Sequence, residues 1–233
     1  MNRCEVADDT QVPTRWSSYT SRVDSGRRRA RILREAAALF IANGFSGVTM
    51  DDVQTAVGGS KATLYKYFSD KSDLFRSAVE MLIDERSQPL TSFHPSGGDP
   101  VETLKEFGRH FAAIVLDSGA IALHRLVTSE AERVDGLGQM FFQHGPAVGN
   151  AILGRYLGTL RDAGIIEVAD PVLAASQLYQ AMLGSLQMRL LMNTADRPTS
   201  QEIESSITHA VNTFVDGTRL RTPQPRAADA TTR

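Results

Sequence analysis

The sequence is poor in cysteine, since Cys4 is the only one among 233 residues. A single cysteine excludes an intrachain disulfide and a cysteine-ligated metal cluster. Long apolar runs are lacking too: the stretch 111–116 is far shorter than the roughly 20 residues that a membrane helix needs. The first 25 residues hold no apolar segment of signal-peptide length. We therefore expect a cytoplasmic protein without a membrane segment.

Excess charge of either sign is also lacking, because the formal net charge is only -2. This small total hides an asymmetry along the chain. Residues 22–71 carry nine basic and five acidic side chains, whereas residues 87–233 carry twelve basic and fifteen acidic ones. A basic front and an acidic back predict two parts with different functions.

The apolar residues recur with helical spacing. Ile32, Ala36, Leu39 and Phe40 form one helical stripe. Gly44 ends this helix, and no stretch shows the sustained alternation of a β-strand. The fold class is therefore all-α, with a loop over 87–99 and helices over 27–43, 50–57, 61–68, 71–85, 101–117, 120–134, 138–163, 170–193 and 199–220.

These elements predict two domains between two disordered ends. Residues 1–25 and 222–233 are polar or Pro- and Ala-rich and have little apolar surface to bury. Residues 26–86 form a small domain that includes the fourth helix. Residues 87–221 form the larger helical body.

The first three helices have the arrangement of a helix-turn-helix. A short helix capped by Thr49 ends at Gly58-Gly59, and Ser60 caps the next one. This third helix is about two turns long, which suffices to place its first residues on base edges in the major groove. Its outer face offers hydrogen-bond donors and cations: Ser60, Lys61, Thr63, Lys66 and Tyr67.

Residues 31–74 resemble the DNA-binding domain of the tetracycline-repressor (TetR/AcrR) family. The resemblance extends over about 45 residues in the family's order and spacing. It rests on Ile32, Ala36, Leu39, Phe40, Gly44, Phe45, Thr49, Gly58, Ser60, Thr63-Leu64-Tyr65, Phe68, Lys71 and Leu74.

The resemblance implies roles for the DNA-binding candidates. Lys61 and Thr63, with Ser60 beside them, match positions that read bases. Phosphate contacts are implied for Thr49, Tyr65, Tyr67 and Lys71, and a minor-groove arm for Arg27, Arg28 and Arg29. Gly59 stands where the family usually has Val, which predicts a looser turn.

The body, over 124–184, resembles the AefR-like C-terminal group of the same family, which implies a homodimer and a small-molecule inducer. Helices 170–193 and 199–220 are the candidates for a dimeric four-helix bundle. The alternative is that both pack inside one subunit. The stripes proposed for the bundle are Leu173, Leu178, Met182, Leu186 and Leu190 on one helix and Ile203, Ile207, Val211 and Phe214 on the other.

A ligand pocket is expected between the helices of the body. Aromatic and Met residues at helical spacing more often form core, so each candidate has that alternative. Gly145-Pro146 follows Phe141-Phe142 and is expected to kink the helix and open a cavity. The candidates are Phe107, His110, Phe111, Ile114, Met140, Phe141, Phe142, His144, Tyr156, Gln177, Tyr179 and Gln180.

The prediction is a transcriptional regulator that binds a palindromic DNA operator as a dimer, most simply a repressor released by a largely apolar ligand. No phosphate-binding loop, nucleophile elbow or zinc-protease motif occurs, so we expect neither enzymatic activity nor a cofactor or metal. The alternative is a helical ligand-binding or interaction module whose basic head binds a protein instead of DNA.

Overall fold

The computed structural model describes residues 15–91, 98–194 and 197–219, with side chains from Ser25 onward. These residues form ten helices and no strand. The one β-type pairing among them is an isolated bridge between Ile166 and Arg219. The predicted all-α fold is thereby confirmed. The chain divides into two compact units, with the boundary between Ala78 and Val79.

The N-terminal unit is built around the helix-turn-helix. Its helices are α1 (Arg15–Asn43), α2 (Met50–Val57), α3 (Lys61–Tyr67) and the first part of α4 (Lys71–Thr91). Phe40 and Phe75 meet edge to face with ring centroids 4.8 Å apart, and both are buried. Val53 of α2 and Leu64 of α3 are also buried, which fixes the face that α3 turns inward.

The first helix begins earlier than the sequence indicated. α1 starts at Arg15, so residues 15–25 of the arm predicted to be disordered are helical. Extending an existing helix adds one hydrogen bond per residue without a new nucleation step. A polar segment can therefore be helical when it directly precedes a helix that apolar packing holds in place. The predicted disorder over 1–14 and 222–233 lies outside the described residues.

The fourth helix extends past its predicted end. It was expected to stop at residue 85, before a loop over 87–99, but it continues through Pro89 to Thr91. Leu90 is buried in the core of the C-terminal unit, which holds the last turn in place. The Thr91 hydroxyl donates to the Gln88 carbonyl at 3.0 Å and helps to close the end.

The C-terminal unit is a helical bundle in which α8 packs on α9, α9 on α10 and α10 on α5. Its core is aliphatic, with Leu153, Leu157, Met182 and Ile207 fully enclosed. The helices of this unit after α4 are α5 (Pro100–Val115), α6 (Ser118–Glu130), α7 (Leu137–His144), α8 (Pro146–Asp162), α9 (Pro171–Leu191) and α10 (Ser200–Thr218).

The predicted helix over 138–163 is two helices. α7 ends at His144 and α8 begins at Pro146, with Gly145 between them. Proline lacks an N–H and so starts a helix more easily than it continues one. The expected kink at Gly145-Pro146 is therefore a complete break.

The apolar stripes proposed for the dimeric bundle lie largely inside the protomer. Leu178, Met182 and Leu186 of α9 are buried in its core, and so are Ile207 and Val211 of α10. Helical spacing identifies an apolar face but not what covers it. The alternative of packing within one subunit is therefore correct for these residues, whereas Leu173, on the opposite side of α9, is exposed.

Helices α5 and α6 are the most membrane-like pair by composition. Together they meet the length and hydropathy of a span, but they are bent by 66° at their junction. Among the described helices, no single one is long and apolar enough to cross a membrane.

Candidate DNA-binding surface and ligand cavity

Two side-chain hydrogen bonds hold the turn between α2 and α3. Gly58 and Gly59 have φ of +74° and +101°, in the region that glycine tolerates best. Gln54 Nε2 donates to the Gly59 carbonyl at 2.9 Å, and Arg31 donates to the Val57 carbonyl at 2.7 Å. A Cβ on Gly59 would lie 2.7 Å from Arg28 Nη2. Gly59 thus makes room for Arg28.

Helix α3 presents a polar face anchored by one buried residue. Ser60 Oγ accepts from the Thr63 amide at 3.3 Å, and the two hydroxyls lie 2.9 Å apart. Leu64 points into the core. Lys61, Lys66 and Tyr65 are exposed, the tyrosine by 47%. Ser60, Lys61, Thr63, Tyr65 and Lys66 are therefore grouped on or beside one short helix, as predicted.

Lys61 is tied to α2 by an ion pair. Its Nζ lies 2.6 Å from Asp51 Oδ1, and both side chains are more than half exposed. The hydrogen bond that Lys61 donates to Asp51, together with the negative charge of Asp51, raises the pKa of Lys61 above its ordinary value. The ammonium group is therefore positioned at the start of α3 but partly neutralised there.

Lys71 spans the turn between α1 and α2. Its Nζ donates to the carbonyls of Phe45 and Val48, each at 3.0 Å. The same atom lies 4.2 Å from the centre of the Phe45 ring, a cation–π distance. An ammonium group has three donors. One donor thus remains for the phosphate contact that the family resemblance implies.

Two further phosphate candidates are engaged within the unit. The Thr49 hydroxyl accepts from the Asp52 amide at 3.2 Å and the Thr49 amide donates to Asp52 Oδ2 at 2.8 Å, which together form a capping box. The Thr49 hydroxyl also donates to Asp52 Oδ2 at 2.7 Å. These hydrogen bonds hold the pKa of Asp52 below its ordinary value. Tyr67 is half-buried, and its hydroxyl on α3 lies 3.2 Å from Ser25 Oγ on α1.

The arginines expected in a minor-groove arm belong to helix α1. Arg29 donates to Ser77 Oγ at 3.4 Å, and its guanidinium carbon lies 5.3 Å from the centre of the Phe68 ring. Arg28 lies against Gly59. Arg27 is exposed on the same helix. These three residues therefore present charge from a helical surface and not from an extended arm.

The C-terminal unit contains a cavity of about 240 Å³ enclosed by α4 to α9. Its wall is mostly apolar and aromatic. The rings of Phe111 and Tyr179 lie against each other with centroids 3.9 Å apart, and His124 meets Phe141 edge to face at 5.6 Å. The predicted ligand residues that line this cavity are Phe111, Ile114, Phe141, Phe142, Tyr179 and Gln180.

The other ligand candidates lie elsewhere. Phe107 is buried in the core with Tyr156 packed on it, centroids 6.0 Å apart. His144 Nδ1 lies 3.5 Å from Glu80 Oε1, away from this wall. Helical spacing cannot separate core from cavity lining, because both face inward. The remaining three are Met140, which is half-buried, and His110 and Gln177, which are exposed.

Several lining residues were missed in the sequence. Arg86 and Ser87 line the cavity from the part of α4 that lies beyond the helix end predicted at residue 85. His124 lines it from α6, and burial lowers its pKa so that the ring is neutral. Tyr179, in contrast, was predicted as a polar contact. Its hydroxyl donates to the Gly149 carbonyl at 3.2 Å, and burial raises its pKa.

Comparison with known proteins agrees with these two units. Residues 32–78 match the tetR family of bacterial regulatory proteins, and residues 102–217 match the C-terminal domain of AefR-like transcriptional repressors. Within the described residues, no group of three His, Cys, Asp or Glu side chains is placed to hold a metal ion.

Whole-chain similarity comes from solved structures. The flavonoid-responsive regulator FrrA is 30% identical with a TM-score of 0.76, over 84% of this chain and all of that one. A TetR-family regulator from Mesorhizobium loti is 27% identical with the same TM-score, over 84% of this chain and 98% of that one. The helix-turn-helix regulator YvaF of Bacillus subtilis is 47% identical over 58 residues, which are 25% of this chain and 30% of YvaF. The chain belongs to the TetR family of bacterial transcriptional regulators.

Proposed function

We propose that this regulator is a repressor that binds a palindromic DNA operator as a homodimer and is released by a small ligand. The observation that carries the proposal is the exposed face of α3. It presents Lys61, Tyr65 and Lys66 to solvent, while Leu64 anchors the helix from behind. Cations and hydroxyls on a short helix suit both base edges and phosphates.

The dimer is favoured by the size of the recognition helix. α3 has seven residues, so one copy contacts few base pairs. Two copies on half-sites about one helical turn apart add their contacts. The outward face of α9 is the surface that suits a dimer, because Leu173 and Met188 on it and Met192 just past its end are each more than half exposed.

Ligand release is supported by the cavity and by the relatives. AefR-like proteins are described as repressors, and FrrA is named as responding to flavonoids. An aromatic-lined cavity between helices fits a largely apolar small molecule. The cavity is also lined by residues of α4, the helix that begins in the N-terminal unit.

Selection from random duplex DNA tests the central proposal. We expect enrichment of one palindrome, with affinity that falls steeply as salt rises. Lys66→Ala should weaken binding to all sequences, whereas Lys61→Ala should also relax base preference at one position. Arg155→Ala, which removes an exposed cation from α8, is the matched control and should change neither. Absence of any enriched sequence would overturn the proposal and favour a protein partner for the basic unit.

A further inference from the structure

The cavity wall carries a single permanent charge. Of the described residues that line it, Arg86 is the one with an ionised side chain at neutral pH, and no Asp, Glu or Lys is among them. The rest are apolar, aromatic or uncharged polar residues. His124 adds no charge, because its burial favours the neutral ring.

The described residues supply hydrogen-bond acceptors for only part of the Arg86 guanidinium. Its Nη1 donates to the Leu82 carbonyl at 3.0 Å, which uses one of the five N–H donors of a guanidinium. The Arg86 guanidinium and the Asp117 carboxylate both lie close to Gly119. However, the Asp117 carboxylate accepts from the amides of Gly119 and Ala120, and the two side chains form no ion pair. Arg86 is half-buried and lines the cavity.

A half-buried cation beside an apolar wall favours an anionic ligand group. Removing a charge from water without a counter-ion is costly, and a planar guanidinium binds a carboxylate or sulfonate through two parallel hydrogen bonds. The aromatic wall formed by Phe111, Tyr179 and Phe141 favours a flat apolar body next to that anion.

From this arrangement we infer that the cavity binds amphipathic monoanions, with an aromatic body against Phe111 and Tyr179 and an acidic group on Arg86. The inference rests on the proposed ligand site and adds the charge of the ligand and the residue that recognises it. It also places the contact with the anion on α4.

A matched pair of fluorescent probes tests the charge. 8-Anilinonaphthalene-1-sulfonate is a monoanion, and N-phenyl-1-naphthylamine is the same aromatic body without the sulfonate. Both are titrated into the full-length protein without DNA. Arg86→Gln should weaken binding of the anionic probe at least about tenfold, the size of one charge-assisted hydrogen bond, and leave the neutral probe within about twofold.

Two further variants locate the probe. Arg155→Gln makes the same change of charge on the exposed side of α8 and should leave both affinities unchanged. Ser176→Phe fills the cavity from α9 and should abolish binding of both probes. Circular dichroism shows that each variant has folded.

Three results would overturn the inference: equal loss of both probes in Arg86→Gln, no loss of either, or unchanged binding in Ser176→Phe. None of these bears on the proposed function as a whole, because selection of an operator is measured without any probe. Conversely, failure to select an operator leaves the preference for anions intact.

Discussion

At the scale of the residue, two lysines of the N-terminal unit differ in what surrounds their charge. Lys61 is exposed and pairs with Asp51, whereas Lys71 is half-buried and donates to two backbone carbonyls. The family resemblance assigns both to DNA contacts. Their surroundings predict different responses to substitution, since an exposed ion pair adds little to stability and a half-buried ammonium bonded to two carbonyls adds more.

Lys71→Met should therefore destabilise the fold. It leaves the carbonyls of Phe45 and Val48 without their partner, and hydrogen bonds to a charged group are worth about 1.5–3 kcal/mol each. We expect the free energy of unfolding, measured by urea denaturation, to fall by about 1–3 kcal/mol. Lys66→Met, on the exposed face of α3, is the control and should change it by less than about 0.5 kcal/mol. Equal stability of the two variants would contradict this role of Lys71.

Asp51→Asn should strengthen DNA binding. The substitution releases Lys61 from its ion pair and removes a negative charge from the surface proposed to meet phosphates. Affinity for all duplexes should rise several-fold, and the slope of log affinity against log salt should steepen by about one phosphate contact. Fluorescence anisotropy at several salt concentrations measures both. Asp216→Asn on α10 makes the same charge change. An equal gain in affinity there would show that the ion pair between Asp51 and Lys61 does not affect DNA binding.

At the scale of the element, local chemistry made most helix boundaries predictable. Thr49, Ser60 and Thr199 each cap the helix that follows, because a hydroxyl accepts from an amide of the first turn. Gly44 and Gly58 follow the ends of α1 and α2, because glycine tolerates the positive φ that each of them adopts. These signals are contained within a few residues of sequence, so they survive without knowledge of the tertiary structure.

The cavity was less predictable because no single helix forms it. Its wall takes residues from six helices, and whether an inward-facing aromatic lines a cavity or fills the core depends on what lies opposite. Phe111 lines the cavity, whereas Phe107, one turn earlier on α5, is core. Arg86 lay at the predicted end of α4, and only burial of Leu90 extends that helix past Pro89.

Gly59→Ala should destabilise the turn between α2 and α3. An alanine at a φ of +101° is strained, and its Cβ would lie 2.7 Å from Arg28 Nη2. We expect the thermal midpoint to fall by several degrees, the effect of about 1–2 kcal/mol. Gly158→Ala, inside α8 with open space around it, should instead stabilise by about 0.5–1 kcal/mol. A Gly59→Ala variant as stable as the parent would refute the constrained geometry.

At the scale of the whole molecule, the proposed dimer depends on the outward face of α9. Met188 is 53% exposed there, although it is a large apolar side chain. Met188→Glu should convert the dimer to a monomer in sedimentation velocity at micromolar concentration, because an unpaired carboxylate in an apolar interface is costly. Operator affinity should fall with it. Ile41→Glu on α1 introduces the same charge in place of an exposed apolar residue and should leave the dimer intact.

Ligand release has a thermodynamic signature that does not depend on the identity of the natural inducer. If a ligand in the cavity weakens operator binding by some factor, saturating operator must weaken binding of that ligand by the same factor. With 8-anilinonaphthalene-1-sulfonate as the ligand, we expect both factors to be about 5–150, the usual range of coupling between two sites. Arg86→Gln should reduce the probe's affinity, and Ser176→Phe should make operator binding insensitive to the probe. Equal probe affinity for free and operator-bound protein would refute release through this cavity, even if the cavity still prefers anions, because a ligand that binds both states equally shifts neither.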